Sequence, residues 1–162
     1  MSIQEIRLFG DPVLLTPAAE VVDFDKELRS LVADLTDTML EAPGVGLAAP
    51  QIGVGLRVFV WDIDEALGHL INPTLDLSEE LQDGEEGCLS FPAFFLNFPR
   101  PNWAEVEYTN ENGERTQVKL DGLTARCFLH ELDHLNGVKF TSYVGAASIL
   151  QATRKQEKLI KK

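Results

Sequence analysis

The chain has 162 residues, 44% of them apolar and 25% charged, which is ordinary globular usage and excludes a disordered chain, a collagen-like repeat or a disulfide scaffold. A net charge of −12 works against bulk nucleic-acid binding, because an acidic body repels phosphate backbones. No apolar run approaches the roughly 20 residues that span a bilayer, no signal peptide is visible, and the only cysteines are Cys88 and Cys127, so we expect one soluble domain over residues 1–162 in a reducing compartment, with neither DNA nor membrane as partner.

In chain order, residues 1–22 read as an irregular arm, broken by Pro12 and Pro17. Asp23 or Asp25 can cap the helix that follows, in which Leu28, Leu31, Val32, Leu35 and Met39 recur at steps of three and four. Pro43 and Gly44 end it. Small residues then dominate Gly44-Val45-Gly46-Leu47-Ala48-Ala49-Pro50-Gln51, where the backbone can pass close to another group. Leu56–Trp61 reads as a strand and Leu70–Pro73 as a second, shorter one. The acidic stretch 76–86 is expected to be exposed.

Trp103–Thr109 and Arg115–Leu120 alternate in character around Asn110-Glu111-Asn112-Gly113, which predicts a hairpin. A helix is expected from Gly122 to Leu135, closed by Asn136-Gly137. Val138-Lys139-Phe140 is expected to add a strand, and the end from Ala146 to be helical. This order predicts an α+β fold with mostly antiparallel sheets.

His130-Glu131-Leu132-Asp133-His134 carries the chemistry. On a helix the two histidines, i and i+4, share one face and can share a metal, with Glu131 able to reach a water on it. Two imidazoles leave a catalytic site one protein ligand short. No histidine follows, and Glu157 lies in a basic tail, so the third ligand is expected upstream. Cys88, in Glu86-Gly87-Cys88-Leu89-Ser90, is the best candidate, and Gly87 there permits unusual backbone geometry. The alternative is a buried structural cysteine.

Three motifs, in the order Gly44–Gln51, Glu86–Ser90 and His130–His134, resemble those of peptide deformylases. The resemblance covers about residues 3–142. It implies a peptide-deformylase-like α+β fold around the HExxH helix, and removal of the N-formyl group from the N-terminal methionine of nascent chains, with release of formate. It implies Cys88, His130 and His134 as metal ligands, and Glu131 as general base and acid. Gln51 and the backbone N–H of Leu89 become oxyanion donors, and Gly46 binds substrate through its backbone. The implied metal is Fe2+, with Zn2+, Ni2+ or Co2+ as replacements in purified protein. The implied compartment is the cytoplasm of a bacterial or phage-infected cell. Val45, Gly87, Cys127 and Phe128 lie in or beside the motifs, as either pocket wall for the methionine or plain core. The resemblance also pairs Glu86 with Arg100.

Two segments depart from the family pattern. Phe91-Pro92-Ala93-Phe94-Phe95-Leu96-Asn97-Phe98 replaces a more polar stretch; many relatives have Gly near position 93, and some an arginine near 95. The phenylalanines form either core or an apolar substrate wall. At the C-terminus Arg154, Lys155, Lys158, Lys161 and Lys162 outnumber Glu157. This is either a solvated helix end or a surface that docks on the ribosome. Two rivals remain: an ordinary metallopeptidase that needs neither Gln51 nor Cys88, and a silent relative that only binds N-termini.

Overall fold

A computed structural model describes residues 2–63 and 66–160. The arm forms one short 3-10 turn, Pro12–Leu15, and then leads into α1, Lys26–Glu41. Of the two aspartates, Asp25 is the cap: its carboxylate accepts the Leu28 N–H at 3.0 Å. Strand β1 (Gly46–Ala48) and a 3-10 turn (Ala49–Ile52) precede β2 (Val58–Ile63) and β3 (Ala66–Leu77). There follow β4 (Leu81–Gln82), β5 (Glu85–Cys88), β6 (Phe91–Asn97), β7 (Arg100–Pro101), β8 (Trp103–Thr109) and β9 (Arg115–Asp121). Helix α2 spans Gly122–Leu135, a 3-10 turn covers Phe140–Tyr143, and α3 spans Ala146–Ile160.

The strands pair antiparallel as one five-stranded sheet, β1-β2-β3-β8-β9, and two ribbons, β4-β7 and β5-β6. Side chains alternate across the main sheet, so each strand feeds two cores. Leu47, Val58, Val60 and Ile71 pack under Leu28, Val32, Leu35 and Met39 of α1. Ala48, Phe59, Leu70, Ala104 and Val106 pack under Phe128, Leu129, Leu132 and Leu135 of α2. The sheet thus lies between two helices, with the histidine helix on one face. A third cluster, Phe94, Leu96, Phe98, Phe140 and Ala152, fixes α3 to β6.

The hairpin β8–β9 turns where expected, with the Asn110 side chain accepting from the Asn112 and Glu114 N–H groups. Helix α2 also ends as expected. Gly137 takes a φ of 73°, and a Cβ there would sit 2.8 Å from the Leu15 carbonyl oxygen.

Three expectations need correction. The short strand at Leu70–Pro73 is the middle of the 12-residue β3, which passes the proline at a bulge where Asn72 bonds both polar backbone groups of Val21. Val138–Phe140 adds no strand; Phe140 instead opens a 3-10 turn that drops its ring into the third cluster. The acidic stretch is not exposed throughout, since Glu86 at its end is buried among two guanidinium groups and an imidazole. The tail is helical through Ile160; Lys161 and Lys162 lie outside the described residues.

Candidate metal centre

The sequence delivers the three donors from two directions. Helix α2 presents His130 and His134 from one face, their ring centroids 5.0 Å apart. Strand β5 brings Cys88 to them, at a register shift between Gly87 and Cys88 in its pairing with β6. The Cys88 sulfur lies 3.3 Å from His134 Nε2, and ligand atoms of all three residues lie within 4.8 Å of one another. Both histidines are buried and Cys88 is half-buried. These placements favour the ligand reading of Cys88 over a plain core cysteine.

The donors fit a divalent cation. Glu86 Oε2 lies 2.9 Å from His130 Nδ1, which leaves Nε2 as the nitrogen free to face the cradle. Burial, then the charges of His130 and Arg100, lowers the His134 pKa well below normal and keeps that ring neutral, as ligation requires. Burial pulls the His130 pKa the same way, but hydrogen bonds to Cys88 and Glu86 and the charges of Cys88 and Glu131 raise it well above normal, so a cation seated there would take the place of that proton. Sulfur with two imidazoles is a borderline-soft set suited to iron or zinc.

Beside the donors, Glu131 is buried, and among the described residues its Oε2 has no hydrogen-bond partner. Burial pushes its carboxyl up to about 7, against the pull of His130, which suits an acid–base group near neutral pH. The chain of Gly46 runs so close that a Cβ there would lie 2.9 Å from Glu131 Oε1. Gln51 is buried beside Cys88. Its Oε1 accepts the Ala48 N–H at 2.9 Å, and its Nε2 donates to the Ser90 hydroxyl at 3.1 Å, 3.8 Å from the Cys88 sulfur. Leu89 follows Cys88 directly and packs against Gly44.

A cleft of about 670 Å³ opens over His130 and Glu131. Val45, Gly87, Phe95, Leu123 and Cys127 line it. Of the expected wall residues, Val45, Gly87 and Cys127 are therefore placed on it. Phe128 is not: it points from the opposite face of α2 into the core, 5.2 Å from Phe59 and 4.6 Å from Trp61, centroid to centroid. The phenylalanine-rich strand β6 serves both ends by alternation: Phe94 and Leu96, with Phe98 just past its end, turn to the core while Phe95 lies over Gly87 in the cleft.

Glu86 and Arg100 do pair, and doubly: Arg100 Nε meets Glu86 Oε1 at 2.6 Å and Nη2 meets Oε2 at 2.9 Å. Burial alone would raise the Glu86 pKa, but hydrogen bonds from Arg100 and His130 hold it at about 2. Sequence reasoning missed three members of this network. Asp133 accepts Arg100 Nη1 at 2.7 Å and the Tyr143 hydroxyl at 2.8 Å, and Arg126 reaches Glu86 at 3.1 Å. Only Arg126 left a usable signal, an arginine one turn before His130 on a face otherwise buried.

A helix with two metal-spaced histidines and a carboxylate, completed by a thiol from a strand at the floor of a cleft, defines a metal-dependent hydrolase. The family model described as "Polypeptide deformylase" matches residues 3–148, and the chain belongs to that family. Members remove the N-formyl group from the N-terminal methionine of nascent peptides with the help of a metal, and this chain is a hydrolase of that kind. It is 60% identical over 140 residues to the peptide deformylase of Acidothermus cellulolyticus, covering 86% of this chain and 78% of that protein. The Thermotoga maritima peptide deformylase is 42% identical over 151 residues, 93% and 92% of the two chains. The crystal structure of the Legionella pneumophila enzyme superposes with a TM-score of 0.91 at 36% identity, over 99% of this chain and 96% of that one. The Synechococcus elongatus enzyme in complex with actinonin gives 0.90 at 40%, over 95% and 86%. These likenesses favour neither the metallopeptidase nor the silent binder.

Proposed function

We propose that this chain performs the family's hydrolysis with Cys88, His130 and His134 as metal ligands, Glu131 as general base and acid, and Gln51 and the Leu89 N–H as oxyanion donors. The observation that carries this reading is the convergence of the three ligand atoms within 4.8 Å beside a buried, unpartnered carboxylate oxygen. A divalent ion held there supplies Lewis acidity, which activates water and draws charge from the formyl oxygen. We assign ferrous iron as the native ion.

Glu131 accepts the proton of the attacking water as its oxygen bonds to the formyl carbon. The Leu89 N–H and Gln51 Nε2 donate to the oxygen on which negative charge develops, each such donor being worth about 3 kcal/mol. Glu131 then passes the proton to the methionine nitrogen as the C–N bond breaks, leaving formate and a free amine. Gly46 binds the peptide through its backbone, and Val45, Gly87 and Cys127 wall the slot for the methionine side chain. Actinonin, found on the Synechococcus enzyme, is expected to bind this cleft.

Replacing Glu131 with Ala tests the assignment. The variant should keep its metal and lose at least about 100-fold in formate release; retained turnover rejects the role.

The setting is proposed as the cytoplasm; among the described residues no helix is long and apolar enough to cross a membrane. Arg154, Lys155 and Lys158 stand exposed on α3, as both readings of the tail require. Pelleting with ribosomes at low salt that fails at high salt supports docking, and its absence at low salt leaves a solvated helix end.

A further inference from the structure

Arg126 sits one turn before His130 on α2 and is 2% exposed. Its Nη1 donates to Glu86 Oε1 at 3.1 Å, while Nη2 donates to the carbonyls of Gln82 at 3.1 Å and Phe98 at 3.0 Å. A Cβ on Gly84 would come within 2.9 Å of Arg126 Nε, so the guanidinium also passes close to that backbone.

These partners frame Cys88. Glu86 is two residues before it on β5, Gln82 closes β4, and Phe98 lies between β6, the partner of β5, and β7. One guanidinium on the histidine helix therefore grips three of the segments that set where the sulfur sits. It also steadies Glu86, whose other oxygen faces His130 Nδ1. The Arg100 guanidinium is already committed elsewhere, its Nη1 to Asp133 and its Nε and Nη2 to Glu86. A carboxylate held from both sides presents one fixed acceptor to the imidazole, and groups of this kind govern ligand orientation and metal affinity.

We propose that Arg126 is a positioning residue of the metal centre: by holding Glu86 and the Gln82 and Phe98 carbonyls together, it sets the angle at which His130 and Cys88 face a shared ion. This rests on the assignment of Cys88, His130 and His134 as ligands.

The test uses Co2+ as probe, loaded without air into the full chain and into Arg126→Met, Arg126→Lys, Glu86→Gln and Cys88→Ser variants. Chelator competition gives affinity, visible absorption reports coordination, and thermal unfolding of the metal-free forms reports the fold. Arg126→Met should weaken Co2+ binding about 10–100-fold and alter the cobalt spectrum. Arg126→Lys should recover part of both. Combining Arg126→Met with Glu86→Gln should weaken binding by less than the product of the two single losses, because both act on one contact.

Wild-type affinity and spectrum in Arg126→Met, with only the unfolding temperature lowered, would overturn the proposal and leave Arg126 as a fold residue. Should Arg126→Met not fold, Arg126→Lys is read alone, and an unchanged affinity and spectrum there overturns it equally. If the unsubstituted chain and Cys88→Ser give the same cobalt spectrum, the ligand assignment itself fails, and the proposal with it.

Discussion

The backbone of Gly46 passes so close to Glu131 that a single methyl group on it would stand 2.9 Å from the carboxylate oxygen. Glycine on β1 is thus what lets the strand and the carboxylate proposed as general base share one end of the cleft. Gly46→Ala should turn the Glu131 side chain away while leaving Cys88, His130 and His134 in place. Formate release should fall by about 100-fold, the size of effect a displacement near 1 Å brings, with metal content unchanged. Loss of metal along with activity would show that Gly46 shapes the ligands instead.

Ala93 stands at φ 58°, a left-handed conformation that costs an L residue roughly 1–2 kcal/mol. It sits in β6, where the family resemblance leads one to expect glycine. Ala93→Gly should therefore raise stability by about 1 kcal/mol, less the extra entropy of the unfolded chain. Urea unfolding measures it, and a lowered midpoint would contradict the account.

How much of this was legible depends on the range of the forces involved. The histidine spacing, the hairpin turn and the Gly137 stop are local, and each was readable from a few neighbouring residues, while the cap was narrowed to Asp23 or Asp25 before the structure showed Asp25. The burial of Glu86 was not. Its surroundings in sequence are acidic, and the groups that draw it inside, Arg100 and Arg126, lie 14 and 40 residues away. Phe128 stayed open between pocket wall and core for a related reason: it follows the cleft residue Cys127 directly, and only its packing on Phe59 and Trp61 shows that it belongs to the core. Phe94 and Phe95 shared one description in the sequence, and strand alternation separates them.

Cys127 on the cleft wall should be inert near neutral pH. Burial, then the charges of Glu131 and Glu86, pushes its thiol up to about 11 from 9.0. An acid whose folded pKa exceeds its unfolded value keeps more protons when folded, so its contribution to stability is flat below 9.0 and falls as pH rises from there toward 11. In a Cys88→Ser background, the rate of alkylation by iodoacetamide should climb with an inflection near 11; an inflection near 9.0 would show an open thiol.

The central claim is that a thiol from β5 and two imidazoles from α2 would hold the ion on which removal of the formyl group depends. It is tested most directly by formate release from formyl-Met-Ala-Ser, using protein prepared without air and loaded with ferrous iron, beside a Cys88→Ser variant shown to be folded. Fast release by the unsubstituted chain that the variant loses is the predicted result. Equal release by both, or none from the unsubstituted chain with iron bound, would contradict it.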